Sequence, residues 1–182
     1  VIERLTRRLG RLVDDLLFLA RQESGLVPTR REPTDISKLL QEIVEEQQAI
    51  AQSKSLTLTY TPAPTPTIQA DPDQLTRLFT NLIANAISYT PAGKVSITLS
   101  TTPAHILIVI QDTGIGIPEK DLARIFDRFY RVDPARSRSA GGSGLGLAIA
   151  KIITNNHQGQ LTLTSQPSQG TTATVTLPTK QS

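Results

Sequence analysis

The sequence of 182 residues contains no cysteine, methionine or tryptophan, and it has only two histidines. Without cysteine, neither a disulfide framework nor a cysteine-bound zinc site can form, and so few histidines disfavour a histidine-built metal site. The 19 basic and 16 acidic residues give a net charge of +3, with no aromatic residues interleaved along a basic stripe. This mild charge argues against nucleic acid as a partner.

Long apolar runs are also missing, because no segment approaches the roughly 20 residues that a membrane-spanning helix requires. The hydrophobic content of 38% is enough for one main domain with a small appendage. Because the first residue is not methionine, we expect the sequence to be a piece of a longer protein.

Apolar residues in the first segment recur in steps of three and four. They are Ile2, Leu5, Leu9, Leu12, Leu16 and Leu19. This spacing predicts a helix with a heptad seam, and Val13, Leu17 and Ala20 widen the stripe as in a four-helix bundle. The alternative is an amphipathic helix that lies on the following domain. We assign residues 1–25 to this helical segment, 26–34 to a polar linker and 35–182 to a compact domain.

Helices and strands are mixed in the compact domain. Asp35 and Asp71 are predicted N-caps of helices that run to about Ser53 and Tyr89. Shorter helices are predicted at 119–126 and 145–155, and strands at 56–60, around Ile68, and at 95–100, 106–110, 160–165 and 171–177. The last two strands are predicted to form a hairpin. Because regular βαβ alternation is missing, we expect an α+β fold, a two-layer α/β sandwich with helices on one face of a mixed sheet.

One predicted helix carries Asn81, Asn85 and Tyr89, which are four residues apart and therefore share one stripe. An amide oxygen is a hard, neutral ligand suited to Mg²⁺, which completes its shell with waters and substrate phosphates. For two asparagines alone, capping or surface positions are the favoured interpretation. The two glycine-rich segments that follow favour the ligand interpretation.

The first glycine-rich segment begins at Asp112, where the continuously apolar strand ends. A carboxylate held at such a turn can accept a hydrogen bond from an exocyclic amine such as that of adenine. A turn-initiating aspartate is the alternative. Gly114 and Gly116 would let the backbone approach the base closely, and Ile115 and Ile117 could supply apolar walls.

The second glycine-rich segment, Gly-Gly-Ser-Gly-Leu-Gly-Leu at 141–147, leads into a helix. Backbone amides at a helix start bind anions, so we expect a triphosphate there. No Gly-Lys-Ser/Thr follows and no strand precedes, which excludes the P-loop and Rossmann patterns. Among the arginines between the two segments, Arg128 and Arg131 are the expected phosphate donors. Arg136 and Arg138 are equally compatible with a solvated loop.

Taken in this order, the motifs resemble those of sensor histidine kinases, in the superfamily that includes DNA gyrase, Hsp90 and MutL. Residues 1–25 are similar to the end of the dimerisation and phosphotransfer hairpin, and 35–178 to the catalytic ATP-binding domain. The resemblance implies a Bergerat-type fold with ATP and Mg²⁺ as cofactors. It also implies a homodimer and a response-regulator receiver domain as partner for the full-length protein, which would carry this cytoplasmic domain and could be anchored in the inner membrane.

The resemblance implies roles for individual residues. Asn81 and Asn85 match the asparagine box, whose second asparagine holds magnesium, and Tyr89 matches an aromatic that packs on adenine. Asp112 and Gly114 match the adenine-reading element. The other implied nucleotide contacts are Gly116, Ile117, Phe126, Phe129, Gly142, Gly144, Leu145, Gly146, Leu147 and Thr172. Catalytic roles are implied for Asn81, Asn85, Arg128 and Arg131.

The sequence departs from the family pattern at two points. Ser88 stands where the family often has a basic residue, so one phosphate contact is missing or comes from the arginine-bearing stretch between the two glycine-rich segments, which is the expected lid. The first hairpin helix, with the phosphoacceptor histidine, has no counterpart here. Neither His105 nor His157 has that context, and His157 resembles a structural position.

The residue four positions before the metal-binding asparagine separates branches of the superfamily. Hydrolytic relatives have a glutamate where this chain has Asn81, and an amide cannot accept a proton from water. The expected function is therefore transfer of the γ-phosphoryl of ATP to a histidine on the hairpin, for relay to a response-regulator aspartate. The alternatives are a non-catalytic nucleotide-binding scaffold or switch, and an ATP-driven clamp.

Overall fold

The structure is a computed structural model that describes residues 2–25, 29–132 and 142–180. Its helices are α1 (Ile2–Glu23), α2 (Ile36–Ser53), α3 (Pro72–Ser88), α4 (Glu119–Leu122) and α5 (Gly146–Asn156). Its strands are β1 (Glu32–Thr34), β2 (Thr57–Thr61), β3 (Ile68–Ala70), β4 (Lys94–Thr101), β5 (His105–Asp112), β6 (Gln160–Gln166) and β7 (Gly170–Pro178). None of the described helices combines the length and apolar character needed to cross a membrane.

The main sheet has five strands in the order β2-β4-β5-β7-β6. Strand β2 is parallel to β4, whereas the other pairs are antiparallel, so the sheet is mixed. On the central strand β5, Ile106, Ile108 and Ile110 are buried, while Leu107 and Val109 on the opposite face stay partly exposed. The predicted α+β sandwich with helices on one face of a mixed sheet is confirmed.

The core lies between this sheet and helices α2, α3 and α5. Its largest fully buried side chains include Phe79, Ile36, Leu40, Ile83, Ile97 and Ile108. Burying each such side chain stabilises the fold by about 1.5–3 kcal/mol. Helix α3 is the central helix of the layer, since it contacts α2, α5 and strands β4 and β5. Residues on its exposed stripe are therefore held rigidly above the sheet.

Two local differences from the predictions have simple causes. Strand β1 lies at the end of the predicted linker and pairs with β3. It was not predicted because it is only three residues long and contains Pro33, a residue that argues against a strand. Helix α4 ends at Leu122, not at 126, because the chain continues in tight turns. Arg124 N–H donates to Asp121 O and Asp127 N–H donates to Arg124 O, both at 2.9 Å.

His157 joins the end of α5 to the start of α3. It is fully buried, its Nε2 accepts the backbone N–H of Asp71 at 3.0 Å, and its Nδ1 lies 2.8 Å from Ile153 O. Burial lowers the pKa of His157, which favours the neutral ring that this bonding requires. Asp71 in turn caps α3 by accepting from Gln74 N at 3.0 Å. These contacts are what a structural histidine needs.

Helix α1 packs against the domain with one part of its apolar stripe only. Leu19 is 3% exposed, and Leu12 and Phe18 pack against the core. The other part is exposed: Leu9, Val13, Leu16 and Leu17 are 62%, 46%, 42% and 50% exposed. One face of α1 thus lies on the domain, as the alternative predicted. The other face, which includes Leu9 and Leu16 of the heptad seam, is not covered by any residue that the structure describes.

Candidate nucleotide-binding site

A cavity of about 1330 Å³ lies between α1, α3, the glycine turn after β5 and the start of α5. It brings together most of the residues that the sequence predicted for a nucleotide site. The predicted residues that line it are Asn81, Asn85, Tyr89, Asp112, Gly116, Ile117, Phe129, Arg131, Gly142, Gly144, Gly146 and Leu147. The assignment of these residues to individual nucleotide contacts stays a prediction.

Asp112 forms one end of the cavity and is only 7% exposed. Its Oδ1 accepts the backbone N–H of Gly114 at 2.8 Å and that of Thr171 at 3.2 Å. Burial raises the pKa of the Asp112 carboxyl, and the two backbone N–H groups act in the opposite direction. Because both donors bind Oδ1, Oδ2 has no hydrogen bond to any residue that the structure describes and can accept one from a ligand.

The glycines of the turn are required by contacts within the protein. A Cβ on Gly114 would collide with the carbonyl oxygen of Tyr89, which also accepts Ile115 N–H at 3.1 Å. Gly116 has a φ of +70° and packs against the carbonyl of Gln166, so a Cβ there would overlap the backbone. The two glycines therefore lock the turn to α3 and to the β6–β7 hairpin. Whether they also admit a base remains a prediction.

We expect Gly116→Ala to destabilise the protein by about 2–4 kcal/mol, because the left-handed backbone and the overlap with Gln166 are both unfavourable. Gly142→Ala is the matched control, since the nearest atom of any described residue to its Cβ would be 3.9 Å away. The control should change stability by no more than about 0.5 kcal/mol. Urea denaturation without nucleotide measures both, and equal stabilities would contradict the locked turn.

The stripe on α3 faces the cavity as its spacing predicts. Asn81 Nδ2 donates to Gly146 O at 3.3 Å, which ties the middle of α3 to the first residue of α5. The Asn85 carboxamide also lines the cavity and has no side-chain hydrogen bond to any residue that the structure describes. Tyr89 is the C-cap of α3. Asn85 is therefore an amide on this stripe whose oxygen and nitrogen are both available to a ligand.

The start of α5 supplies backbone donors. Leu145 occupies the N-cap position without a side-chain capping bond, and its own N–H donates to Ser143 Oγ at 3.3 Å. The first N–H groups of the helix itself have no partner among the described residues and are available to a ligand. Gly144 has a φ of +77°, and its carbonyl accepts Phe129 N–H at 2.9 Å. Gly146 and Leu147 line the cavity at this point. This arrangement suits an anion such as a phosphate.

The predicted arginines fall into two groups. Arg131 lines the cavity and donates through Nη2 to Gly142 O. Arg128 instead pairs with Glu23 of α1 at 2.5 Å and does not line the cavity. Arg136 and Arg138 lie outside the described residues. Lys54 lies next to Ser88, but its ammonium group binds the carbonyls of Ile87 and Ser88 at 2.7 and 3.3 Å. Because Lys54 does not line the cavity, it does not supply the positive charge that Ser88 lacks.

Five of the predicted residues do not line the cavity: Gly114, Phe126, Arg128, Leu145 and Thr172. Leu145 is fully buried and Phe126 packs against the core. Thr172 pairs with exposed Gln111 on the face of the sheet away from the helices. Side chains alternate along a strand, so Thr171 lies at the cavity in its place.

Sequence reasoning also missed Arg77, which lines the cavity one turn before Asn81. Its guanidinium binds Asp15 of α1 at 2.6 Å and lies 4.6 Å from the centre of the Phe18 ring. The spacing of four residues before Asn81 could have placed Arg77 on the stripe. Its contact with α1 could not have been predicted, because no pattern relates the two segments.

The chain is similar to known proteins over nearly all its length. A family model described as histidine kinase-, DNA gyrase B-, and HSP90-like ATPase matches residues 70–181. Sensor histidine kinase RppB of Synechocystis sp. is 42% identical over 179 residues, which cover 97% of this chain and 39% of RppB. Sensor histidine kinase WalK of Bacillus subtilis is 38% identical over 184 residues, which cover 100% of this chain and 30% of WalK.

A solved structure supports the same similarity. The structure of full-length ShkA in complex with AMPPNP matches with a TM-score of 0.83 at 30% identity, covering 93% of this chain and 35% of ShkA. The chain thus spans less than half the length of each of these three proteins. The predicted resemblance is confirmed, and the chain belongs to the family of histidine kinase-, DNA gyrase B-, and HSP90-like ATPases.

Proposed function

We propose that this chain is the ATP-binding catalytic part of a sensor histidine kinase. The observation that carries the proposal is the Asp112 carboxylate, whose Oδ1 is fixed by two backbone N–H groups and whose Oδ2 is left for a ligand. A fixed acceptor of this kind matches the exocyclic amine of adenine. ShkA, which shares this fold, was solved with the ATP analogue AMPPNP.

The phosphates are proposed to lie at the other end of the cavity. The uncapped start of α5 offers backbone N–H groups, and Arg131 adds a positive charge on the same side. Ser88 contributes no charge, so Arg131 and the amides of α5 would carry the phosphate binding together.

Magnesium fits the donor set at Asn85. The described residues contain no cluster of three or more histidine, aspartate or glutamate side chains that could hold a metal ion. Mg²⁺ does not need one, because it keeps waters and takes oxygens from substrate phosphates alongside one or two protein ligands. The Asn85 carboxamide oxygen would be that protein ligand. When bound, the ion would neutralise charge on the transferred phosphoryl group.

The proposed reaction is transfer of the γ-phosphoryl group to a histidine nitrogen. A neutral imidazole already has a lone pair, so the site need only position the two reactants and stabilise charge. Asn81 cannot act as a general base toward water, and its amide donates to Gly146 O. Slow hydrolysis in the absence of an acceptor follows from this arrangement.

The acceptor and the partners belong to the full-length protein. We propose that the exposed face of α1, with Leu9, Val13, Leu16 and Leu17, packs in a dimeric bundle with the helix that bears the acceptor histidine. The phosphoryl group would then pass to an aspartate on a response-regulator receiver domain. The catalytic part would be cytoplasmic, in a protein anchored in the inner membrane.

Phosphoryl transfer in trans tests this function. We expect the chain, mixed with Mg²⁺ and γ-labelled ATP, to label a separately supplied hairpin domain from a homologous kinase. The label should be stable to base and labile to acid, as a phosphoramidate is, and a hairpin with glutamine at the acceptor position is the control. Confirmed ATP binding with no label on the intact hairpin would contradict the proposal.

The alternative is a scaffold or switch that binds nucleotide without catalysis. The uncharged Ser88 at the cavity favours this alternative, because weaker binding of the phosphates would suit a module that does not catalyse transfer. Labelling of the hairpin decides between the two. The ATP-driven clamp is disfavoured by Asn81 and would instead show steady release of phosphate with no acceptor present.

A further inference from the structure

Ser165, on strand β6, lies behind the Asp112 end of the cavity and has three polar neighbours at the same distance. Its Oγ accepts the backbone N–H of Ile117 at 2.8 Å and donates to Gly170 O at 2.8 Å. The Thr171 hydroxyl is also 2.8 Å from Ser165 Oγ. The side chain thus joins the glycine turn to the first two residues of β7.

The direction of the third bond follows from the number of protons. A serine hydroxyl has one proton, and a carbonyl oxygen can only accept, so the proton of Ser165 is used on Gly170 O. In the contact with Ser165, Thr171 must therefore be the donor. Its own hydroxyl proton is then committed, and Thr171 Oγ1 can only accept from any other group.

Thr171 lines the cavity, and its backbone N–H binds Asp112 Oδ1 at 3.2 Å. Asp112 Oδ2 and Thr171 Oγ1 are therefore two acceptors at one end of the cavity, with no hydroxyl proton between them. Such an end favours a base that presents an amino group and disfavours one that presents a carbonyl at the same position. Adenine and hypoxanthine differ in this way at position 6.

We propose that Ser165 is a positioning residue that makes the base end of the cavity acceptor-only and so selects 6-aminopurine over 6-oxopurine nucleotides. It acts through Thr171 and Ile117, not by contact with the base. The inference rests on the nucleotide site proposed above. It adds the source of base selectivity, which lies in a side chain that does not itself line the cavity.

Titration calorimetry with ATP and inosine triphosphate, both with Mg²⁺, tests the inference. In Ser165→Ala the Thr171 hydroxyl is free to rotate and donate, so the preference for ATP should narrow by about five- to tenfold, the effect of one hydrogen bond. The affinity for inosine triphosphate should not fall. Thr164→Ala is the matched control, because Thr164 is an exposed residue of the same strand. This variant should prefer ATP over inosine triphosphate as strongly as the unaltered chain does.

Two further variants keep the test decisive. Ser165→Thr retains a hydroxyl and should retain the preference for ATP. Ser165→Cys keeps the shape with a poor hydrogen-bonding group, and it should narrow the preference if the alanine variant fails to fold.

If Ser165→Ala bound both nucleotides more weakly by the same factor, or left the ratio of the two affinities unchanged, Ser165 would be a merely structural residue and the inference would be overturned. Absence of ATP binding to the unaltered chain would overturn the nucleotide site as well. A chain that binds ATP but transfers no phosphoryl group leaves the selectivity test intact, so the two failures can be told apart.

Discussion

Asp112→Asn is expected to weaken ATP binding by at least about thirtyfold, the effect of losing a charged hydrogen bond and creating an opposed pair of donors. The asparagine oxygen can still accept from Gly114 and Thr171, so the turn should keep its shape. The amide nitrogen would replace Oδ2 and point an N–H at the amine of adenine. The loss would therefore come from the base contact and not from misfolding.

Calorimetry with ATP and inosine triphosphate measures this effect. The 6-oxo group of inosine triphosphate can accept from the new amide, so its affinity should fall less than that of ATP, or rise. Asp127→Asn is the matched control, since the Asp127 side chain pairs among the described residues with Arg124 alone, in an exposed contact at 3.5 Å. If Asp112→Asn bound ATP as the unaltered chain does, Asp112 would not contact the base.

Asn85→Ala is expected to reduce phosphoryl transfer to the hairpin by about 10²–10³-fold, the scale of removing one preorganised electrostatic contact at a reacting group. The carboxamide is available in the cavity, so the substitution removes a ligand and disrupts no bond among the described residues. Stability should change little.

Binding measurements with and without metal locate the effect. Magnesium-ATP should bind more weakly to Asn85→Ala, whereas ATP in excess EDTA should bind both proteins alike. Asn155→Ala, at an exposed position on α5, is the control and should match the unaltered chain in each assay. Equal losses of ATP affinity with and without Mg²⁺ would show that Asn85 does not act by binding the metal.

The sequence predicted those parts of the fold that depend on local chemistry. Asp35 and Asp71 accept from the backbone three residues on, at 3.1 and 3.0 Å, and both helices begin where these caps place them. The terminal hairpin and the continuously apolar central strand are likewise found in the structure. Strand β1 was missed because its pairing is short and non-local.

The site was less predictable where it depends on packing between distant segments. The stripe of Asn81, Asn85 and Tyr89 follows from helical spacing alone. Thr171 could have been preferred to Thr172 by strand alternation, because it shares a face of β7 with the apolar Ala173, Val175 and Leu177, and the structure brings Thr171 to the cavity. The division of α1 into docked and exposed faces, and the Arg77–Asp15 pair, depend on a contact that no periodicity encodes.

The support of the glycine turn by the β6–β7 hairpin has a consequence for biosynthesis. The Asp112 turn rests on Ser165, Gln166 and Thr171 through contacts that span 48 to 59 residues, so these three residues leave the ribosome well after the turn. Such long-range contacts form late in folding. A nascent chain that has exposed the asparagine helix but not the hairpin would lack a defined base pocket, so nucleotide could stabilise the domain only after the hairpin has been synthesised.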